Sequence, residues 1–325
     1  MKKSTFVFSS DDNYIIPTYV AIHSLISKLR HENQCEVYVL APGNLSDSSK
    51  NIINSIQNEF NNLMIHFLNL GDAFNSLKLV LTHTTIATMY RLMLPSLLPD
   101  CDRCIYLDGD IIVKGDMSEL FNCDMEGYYV GGVRDIYAEQ YTSKFNYDCE
   151  RPHADDYINA GLLLMNLKMM RDDNIEQQFM KLADKHLLFA DQDIINIVCH
   201  GKIKLLELKY NTLIKYRFVN YKQKKYSNFI TDKFSVQQIW DAYEHPVMIH
   251  YAQPMKPWQC LYVYKANEWY CYVKKKIPSK IYLEYVRPYI KKNSTMTKEK
   301  RYLFIHWLFY KSGILRILLN IRHQL

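Results

Sequence analysis

Asp108-Gly109-Asp110 sets two carboxylates one residue apart between two apolar runs, residues 104–107 and 111–113. Side chains on extended backbone alternate faces, so the carboxylates at this strand end share one side, and Gly109 between them leaves the backbone open to close approach. Like charges this near need a counterion. A hard divalent cation takes such oxygen ligands, and the chemistry it most often serves is neutralising a diphosphate. An acidic loop after a strand is the plainer account of the same residues.

Other positions could join that chemistry. His250 ends a short apolar run, and Lys256 follows six residues later. They could act as metal ligand and phosphate clamp, or His250 could be structural. Asn159, Ala160 and Gly161 precede an apolar run, and small residues there permit a ligand to approach the backbone. Asp191 and Asp193 suit the first turn of a helix; capping accounts for either, though not for Gln192 between them. Arg91 stands among apolar neighbours, where it either snorkels to the surface or reaches an anionic ligand.

The elements that must position these residues alternate between period-2 and helical patterns. Residues 5–9 read as a strand ending in a polar loop that holds Ser9, Asp11 and Asn13, and Pro17 opens a helix. A strand over 36–40, a helix over 46–60 with Ser46 as cap, and a strand over 64–68 follow. A helix is expected over 84–97, strands over 129–133 and 162–167, a helix over 168–186, and strands over 202–208 and 246–250. This is an α/β chain: right-handed crossovers build a mostly parallel sheet flanked by helices, and ligands gather beyond the carboxyl ends of its strands. Residues 215–233 are basic, Tyr-rich and without clear period, as a surface loop or flap would be.

Composition narrows the class. Hydrophobic content of 48% with 23% charged residues describes a globular chain, long enough for one large domain plus an appendage. No Gly-x-Gly-x-x-Gly follows the first strand and no Walker loop occurs, which argues against a nicotinamide enzyme or a P-loop ATPase. The eight Cys form no framework, and Cys101-x-x-Cys104 lacks a second pair, so neither zinc nor redox chemistry is expected and reduced thiols in a cytosol fit best. The apolar run after Lys3 is too short for an export signal.

Charge is unevenly placed. Residues 262–325 carry ten Lys and four Arg against three Glu, hence +11, which leaves −5 for residues 1–261 of a net +6. We therefore expect a main domain over 1–261 and a basic helical region over 262–325. Within the latter, residues 302–321 place Leu303, Trp307, Tyr310, Ile314, Ile317, Leu318 and Ile321 on one helical face, with Arg316 and Asn320 on another. That is the pattern of a helix lying on a membrane surface, and upstream Lys clusters would add attraction to anionic lipid. A helix packed on the domain is the alternative; a nucleic-acid role lacks any recognisable module.

Taken in order, Phe8-Ser-Ser-Asp-Asp-Asn-Tyr14, Tyr90-Arg-Leu92, Tyr106-Leu-Asp-Gly-Asp110, Tyr157-Ile-Asn-Ala-Gly-Leu162, Asp191-Gln-Asp193 and His250-Tyr-Ala-Gln-Pro-Met-Lys-Pro-Trp258 resemble the retaining glycosyltransferases of family 8. That group includes bacterial lipopolysaccharide galactosyl- and glucosyltransferases and the glycogenin-like enzymes. The resemblance covers about residues 4–258. It implies a GT-A fold, Rossmann-like, that binds a UDP-hexose. By motif, Ser9, Asp11 and Asn13 would hold uridine, Asp108, Asp110 and His250 would ligate Mn²⁺, with Mg²⁺ the alternative, and Lys256 would touch the diphosphate. Arg91, Asn159, Ala160, Gly161, Asp191 and Gln192 would surround the sugar, with Gly109 beside the diphosphate and Asp135 nearby. Mixed carboxylate and imidazole ligands favour Mn²⁺ on physical grounds too.

One departure stands: Gln253 occupies the place where the family usually has a Gly that lets backbone approach phosphate. The implied activity is transfer of galactose or glucose, with retention, to a glycan or glycolipid acceptor such as lipopolysaccharide core, on the cytoplasmic face of the cell membrane. Retention through a carboxylate nucleophile requires one on the β-face. The motif offers Gln192 there, next to Asp191, and an amide oxygen is a poor nucleophile, so front-face attack guided by the leaving phosphate is expected. A non-catalytic binder of sugar nucleotides or glycans on the same fold is the alternative.

Overall fold

The structure, a computed structural model, describes residues 3–29, 34–74, 77, 80, 85–218 and 234–294. Most of the expected basic loop at 215–233, and the whole amphipathic segment at 302–321, lie outside the described residues.

A seven-stranded sheet runs in the order β3-β2-β1-β4-β7-β6-β8. Its strands are β1 (Lys3–Ser9), β2 (Gln34–Ala41), β3 (Leu63–Asn69), β4 (Cys104–Leu107), β6 (Val130–Arg134), β7 (Ile158–Met165) and β8 (Ile203–Leu206). The pairs β1–β2, β2–β3, β1–β4 and β6–β8 are parallel, while β7 runs antiparallel to both β4 and β6. A second, three-stranded sheet takes β5 (Ile111–Val113), β9 (Thr212–Leu213) and β10 (Met248–His250), with β10 in the middle. Leaving β4, the chain changes sheets at Asp108-Gly109-Asp110.

Helix α1 (Ile15–Ile26) is buried along its whole length, as its Val, Ile and Leu content dictates. It packs under β5, where Ser24 Oγ accepts from the Val113 amide at 3.0 Å. The expected helix over 46–60 is α2 (Asp47–Asn54) followed by a 3₁₀ turn, and Ser46 caps it by accepting from Ser49 N. Two expectations change. The stretch over 84–97 is mostly 3₁₀ (Ile86–Met93), with one α turn in which Pro95 sits at an N-terminal position it tolerates. The helix over 168–186 is two helices, Leu167–Asp172 and Ile175–Leu182, because Asn174 between them takes a left-handed φ of 55°.

Residues 266–293 do not stand apart from the core. Trp269 and Val273 of the helix Ala266–Lys275, together with Val286, are buried in the same apolar cluster as α1, β1 and β2. Trp269 packs on Trp258 at 5.7 Å between ring centroids. Among the described residues, no helix is long and apolar enough to cross a membrane.

Candidate active site

Both sheets deliver their functional residues to one place, and the reason is strand direction. β4 ends at Leu107 opposite Leu162 of the antiparallel β7, so the start of β7, not its end, lies beside Asp108. The Asp108 amide donates to Gly161 O at 3.1 Å. Asn159, Ala160 and Gly161 thus belong to the strand itself, one step inside where the sequence suggested. In the second sheet β10 runs antiparallel to β5 with His250 opposite Ile111, and Tyr251 N donates to Asp110 O at 2.9 Å. His250 is carried to the acidic corner by register alone.

The result is a cavity of about 700 Å³. It is lined by all of the residues singled out from the motifs: Ser9, Asp11, Asn13, Arg91, Asp108, Gly109, Asp110, Asp135, Asn159, Ala160, Gly161, Asp191, Gln192, His250 and Lys256. Among the described residues, Asp108, Asp110 and His250 are the one group of three potential ligands whose atoms converge, within 4.8 Å of one another. His250 Nε2 lies 3.3 Å from Asp110 Oδ1 and 3.6 Å from Asp108 Oδ2. The Asp110 carboxylate also accepts from Lys256 Nζ, which donates to Tyr251 O at 3.0 Å as well. Burial would raise the Asp110 carboxyl, but Lys256 and His250 outweigh it and hold the group below the usual carboxylate range.

Two glycines serve this corner differently. A Cβ on Gly161 would fall 2.6 Å from Nδ1 and 2.9 Å from Nε2 of His250, so only Gly lets the imidazole cross the strand there. Gly109 faces inward: a Cβ would meet Thr18 Oγ1 of α1 at 2.6 Å. Close packing against the helix is therefore a reason for Gly109, beside the ligand approach expected of it. Gln253 lines the cavity and is not among the residues of positive φ, so its backbone conformation does not demand the Gly usual in the family pattern.

The far end of the cavity is a buried polar lattice. Arg91 is 1% exposed and does not snorkel; its side chain pairs with Asp108 at 2.8 Å and Asp191 at 3.0 Å, donates to Ala160 O, and stacks on Tyr106 at 4.0 Å. Burial would lower its pKa, yet the two carboxylates outweigh this and keep the guanidinium charged. Burial pushes the Asp191 carboxyl up to about 6, against the opposing pull of Arg91. Asp191 is the first residue of the helix Asp191–Val198 and spends its carboxylate on Arg91, so the expected capping role does not hold. Ala190 before it takes φ 46° and ψ −118°, a strained conformation for a residue with a Cβ, held at the cavity wall. Asp193 is turned away, buried against Tyr157 Oη at 2.6 Å and Phe189 N at 2.9 Å.

Gln192 Oε1 accepts from Ala160 N at 3.0 Å and Asn159 Nδ2 at 3.1 Å, while its Nε2 donates to Tyr157 Oη at 3.2 Å. At the open end, Asp11 Oδ1 accepts from Tyr14 N at 2.9 Å and so shapes the loop in which Asn13 is exposed. Sequence reasoning gave no role to Tyr14, which closes the first motif, and missed Lys215, Tyr289 and Asn293, which also line the cavity, and Asn211 beneath it. Tyr289 belongs to the helix Arg287–Asn293, and its hydroxyl donates to Asn13 O at 2.8 Å. Its only sequence signal is an aromatic in a basic helix.

A family model described as Glycosyl transferase family 8 matches residues 5–261. The chain belongs to glycosyl transferase family 8. It is 27% identical over 209 residues to a putative glycosyltransferase of Haemophilus influenzae, covering 63% of this chain and 62% of that one. With glycosyltransferase GlyB of Streptococcus pneumoniae it shares 24% over 266 residues, 80% of this chain and 59% of the relative. The match therefore spans less than two thirds of the length of either relative. A lipopolysaccharide 1,3-galactosyltransferase of Salmonella typhimurium is 26% identical over 201 residues, 60% of this chain and 56% of its own.

Among solved structures, the galactosyltransferase LgtC in complex with donor and acceptor sugar analogues superposes with a TM-score of 0.63 at 22% identity, covering 92% of this chain and 99% of LgtC. The bifunctional glycosyltransferase WbbM gives 0.71 at 22%, covering 90% and 52%. At these identities the likeness is one of fold. The α/β architecture expected from the sequence is that of the GT-A glycosyltransferases.

Proposed function

We propose that this family 8 protein is a UDP-hexose-dependent, retaining transferase that moves galactose or glucose to a glycan or glycolipid acceptor. The observation that carries the proposal is the convergence of Asp108, Asp110 and His250, with Lys256 on Asp110, at one end of a cavity whose other end holds Arg91, Asp191, Gln192 and Asn159. The cavity presents five carboxylates against Arg91, Lys215 and Lys256, a balance that favours a bound divalent cation. The donor set fits one: two hard oxygens and one imidazole suit Mn²⁺, with Mg²⁺ the weaker match. Asp108, Asp110 and His250 would hold it, and when bound it would neutralise charge growing on the departing diphosphate.

The rest follows from the chain's own groups. Lys256 adds a fixed positive charge beside the diphosphate, and Ser9, Asp11 and Asn13 line the open end, where the uridine would lie. Arg91, Asn159 and Asp191 enclose the hexose. In the reaction the anomeric C–O bond breaks with its electron pair going to UDP, the acceptor oxygen forms the new bond, and its proton passes to a leaving phosphate oxygen. Gln192 is a poor candidate for a covalent sugar intermediate, since its amide oxygen already accepts from two protein donors. This supports attack from the face that UDP leaves. We further propose a cytoplasmic protein held at the inner membrane face through residues beyond 294, with the transferase domain near 1–261 and a basic region over 262–325 whose described helices pack on that domain.

UDP release from UDP-galactose and UDP-glucose, measured with Mn²⁺, with Mg²⁺ and with EDTA, tests the proposal. Turnover of one donor that needs the cation, giving a product of unchanged anomeric configuration by NMR, is the expected outcome. Tight binding of UDP-hexose without any turnover toward glycan acceptors would favour a non-catalytic binder instead.

A further inference from the structure

Asn211 is fully buried beneath the cavity, belongs to no motif singled out from the sequence, and touches both the cation corner and the sugar end. The direction of its hydrogen bonds is dictated from outside. The Gly161 amide can only donate, and it lies 3.1 Å from one side-chain atom of Asn159, which is therefore the oxygen Oδ1. The Asn159 nitrogen is left to face the Asp135 carboxylate at 3.3 Å and Gln192 Oε1 at 3.1 Å, both acceptors; the Ala160 amide independently marks Gln192 Oε1 as oxygen. Asn159 Oδ1 also sits 2.9 Å from Asn211, so the Asn211 atom there must be the donor Nδ2. This turns Asn211 Oδ1 toward His250 Nδ1 at 3.0 Å. An acceptor there requires a proton on Nδ1, so Nε2 is the nitrogen that faces Asp110 and Asp108, and its lone pair is the one a cation between them would take.

We propose that Asn211 is the positioning residue of the cation site: it selects the Nδ1–H tautomer of His250 and, through Asn159, ties the cation corner to the residues around the sugar. The inference rests on Asp108, Asp110 and His250 being a divalent cation site. Ligating imidazoles gain orientation and basicity from such a partner on their second nitrogen, and losing it typically weakens metal binding 10- to 100-fold. An Asp at this position would still accept from Nδ1–H but could not donate to Asn159. The two duties of Asn211 can therefore be separated.

Mn²⁺ affinity is measured by EPR titration for native protein, Asn211→Ala, Asn211→Asp and His250→Ala, together with UDP-hexose affinity and circular dichroism. Asn211→Ala should bind Mn²⁺ roughly 10- to 100-fold more weakly with its fold intact, while Asn211→Asp should keep native Mn²⁺ affinity and lose donor affinity. Native Mn²⁺ binding by Asn211→Ala, with His250→Ala impaired, would overturn the role of Asn211 alone. Undiminished binding by His250→Ala would overturn the cation site itself. Should Asn211→Ala not fold, nitrogen NMR of native protein loaded with diamagnetic Zn²⁺ decides: a proton on His250 Nδ1 upholds the inference, and one on Nε2 overturns it.

Discussion

The two ends of the cavity are built on opposite terms. At the inner end Arg91, Asp191, Asn159, Gln192 and Asn211 are buried, and each is hydrogen-bonded or ion-paired to other protein groups. At the outer end Asn13 is exposed, Asp11 and Tyr289 are half-buried, and a helix from far along the chain closes the wall. A buried, fully partnered lattice holds its shape before any ligand arrives, and cutting it leaves polar groups stranded in low dielectric. An open rim borrows part of its order from the ligand. Substitutions inside should therefore cost stability as well as function, and substitutions outside should appear in donor affinity alone.

The hardest test of that contrast is Arg91→Met. It strands Asp108 and Asp191 around an apolar side chain, and breaking a buried ion pair from one side costs about 3–5 kcal/mol. Denaturant unfolding should show a loss of that order; a change below roughly 1 kcal/mol would mean the inner lattice is not pre-built. Asp110→Asn is next. The fold should survive while transfer falls by on the order of a hundredfold, because a charged ligand of the proposed cation becomes a neutral one. More than half of native activity in Mn²⁺ would remove Asp110 from the site.

Tyr289→Phe probes the outer end. It deletes one hydrogen bond to the Asn13 carbonyl, worth about 0.5–1.5 kcal/mol, so UDP-hexose should bind roughly two- to tenfold more weakly with stability and kcat near native. A large drop in unfolding free energy with unchanged donor affinity would reverse the assignment and make Tyr289 part of the core.

What the sequence revealed follows the same division between local and distant causes. Asp108 and Asp110 were legible as a pair because their spacing is local, though they stand in the bend between β4 and β5 and not on the extended strand expected, and Ser46 because a cap is a local device. Arg91 was visible as a residue but not as a buried one, since its partners Asp108 and Asp191 arrive from other elements. The reversal of β7 left no local mark, which is why Asn159 to Gly161 were expected before a strand rather than within it. Asn211 had nothing to announce it, and Tyr289 only an aromatic ring in a basic helix. One acts through register in a two-residue strand's neighbourhood, the other through packing of residues 266–293 onto the domain core.

The smallest effect on turnover should come from the largest deletion. Residues 302–325 carry the two-faced aromatic segment, and the +11 charge of residues 262–325 contrasts with −5 for the remainder. Among the described residues the lining of the cavity ends at Asn293, ahead of the deleted segment. If the segment anchors the protein, its removal should leave UDP-hexose hydrolysis within about twofold of native while abolishing flotation with anionic vesicles. Each basic residue near an anionic surface contributes roughly 1 kcal/mol, fading beyond a Debye length of about 8 Å at physiological salt. Binding of the full chain should therefore fall as salt rises, yet level off above zero, because apolar insertion is not screened. A truncated protein that still floats would place the lipid contact elsewhere on the chain. One that loses hydrolysis and solubility together would show the segment to be part of the packed core, and would extend the inner, pre-built class of structure to the chain's far end.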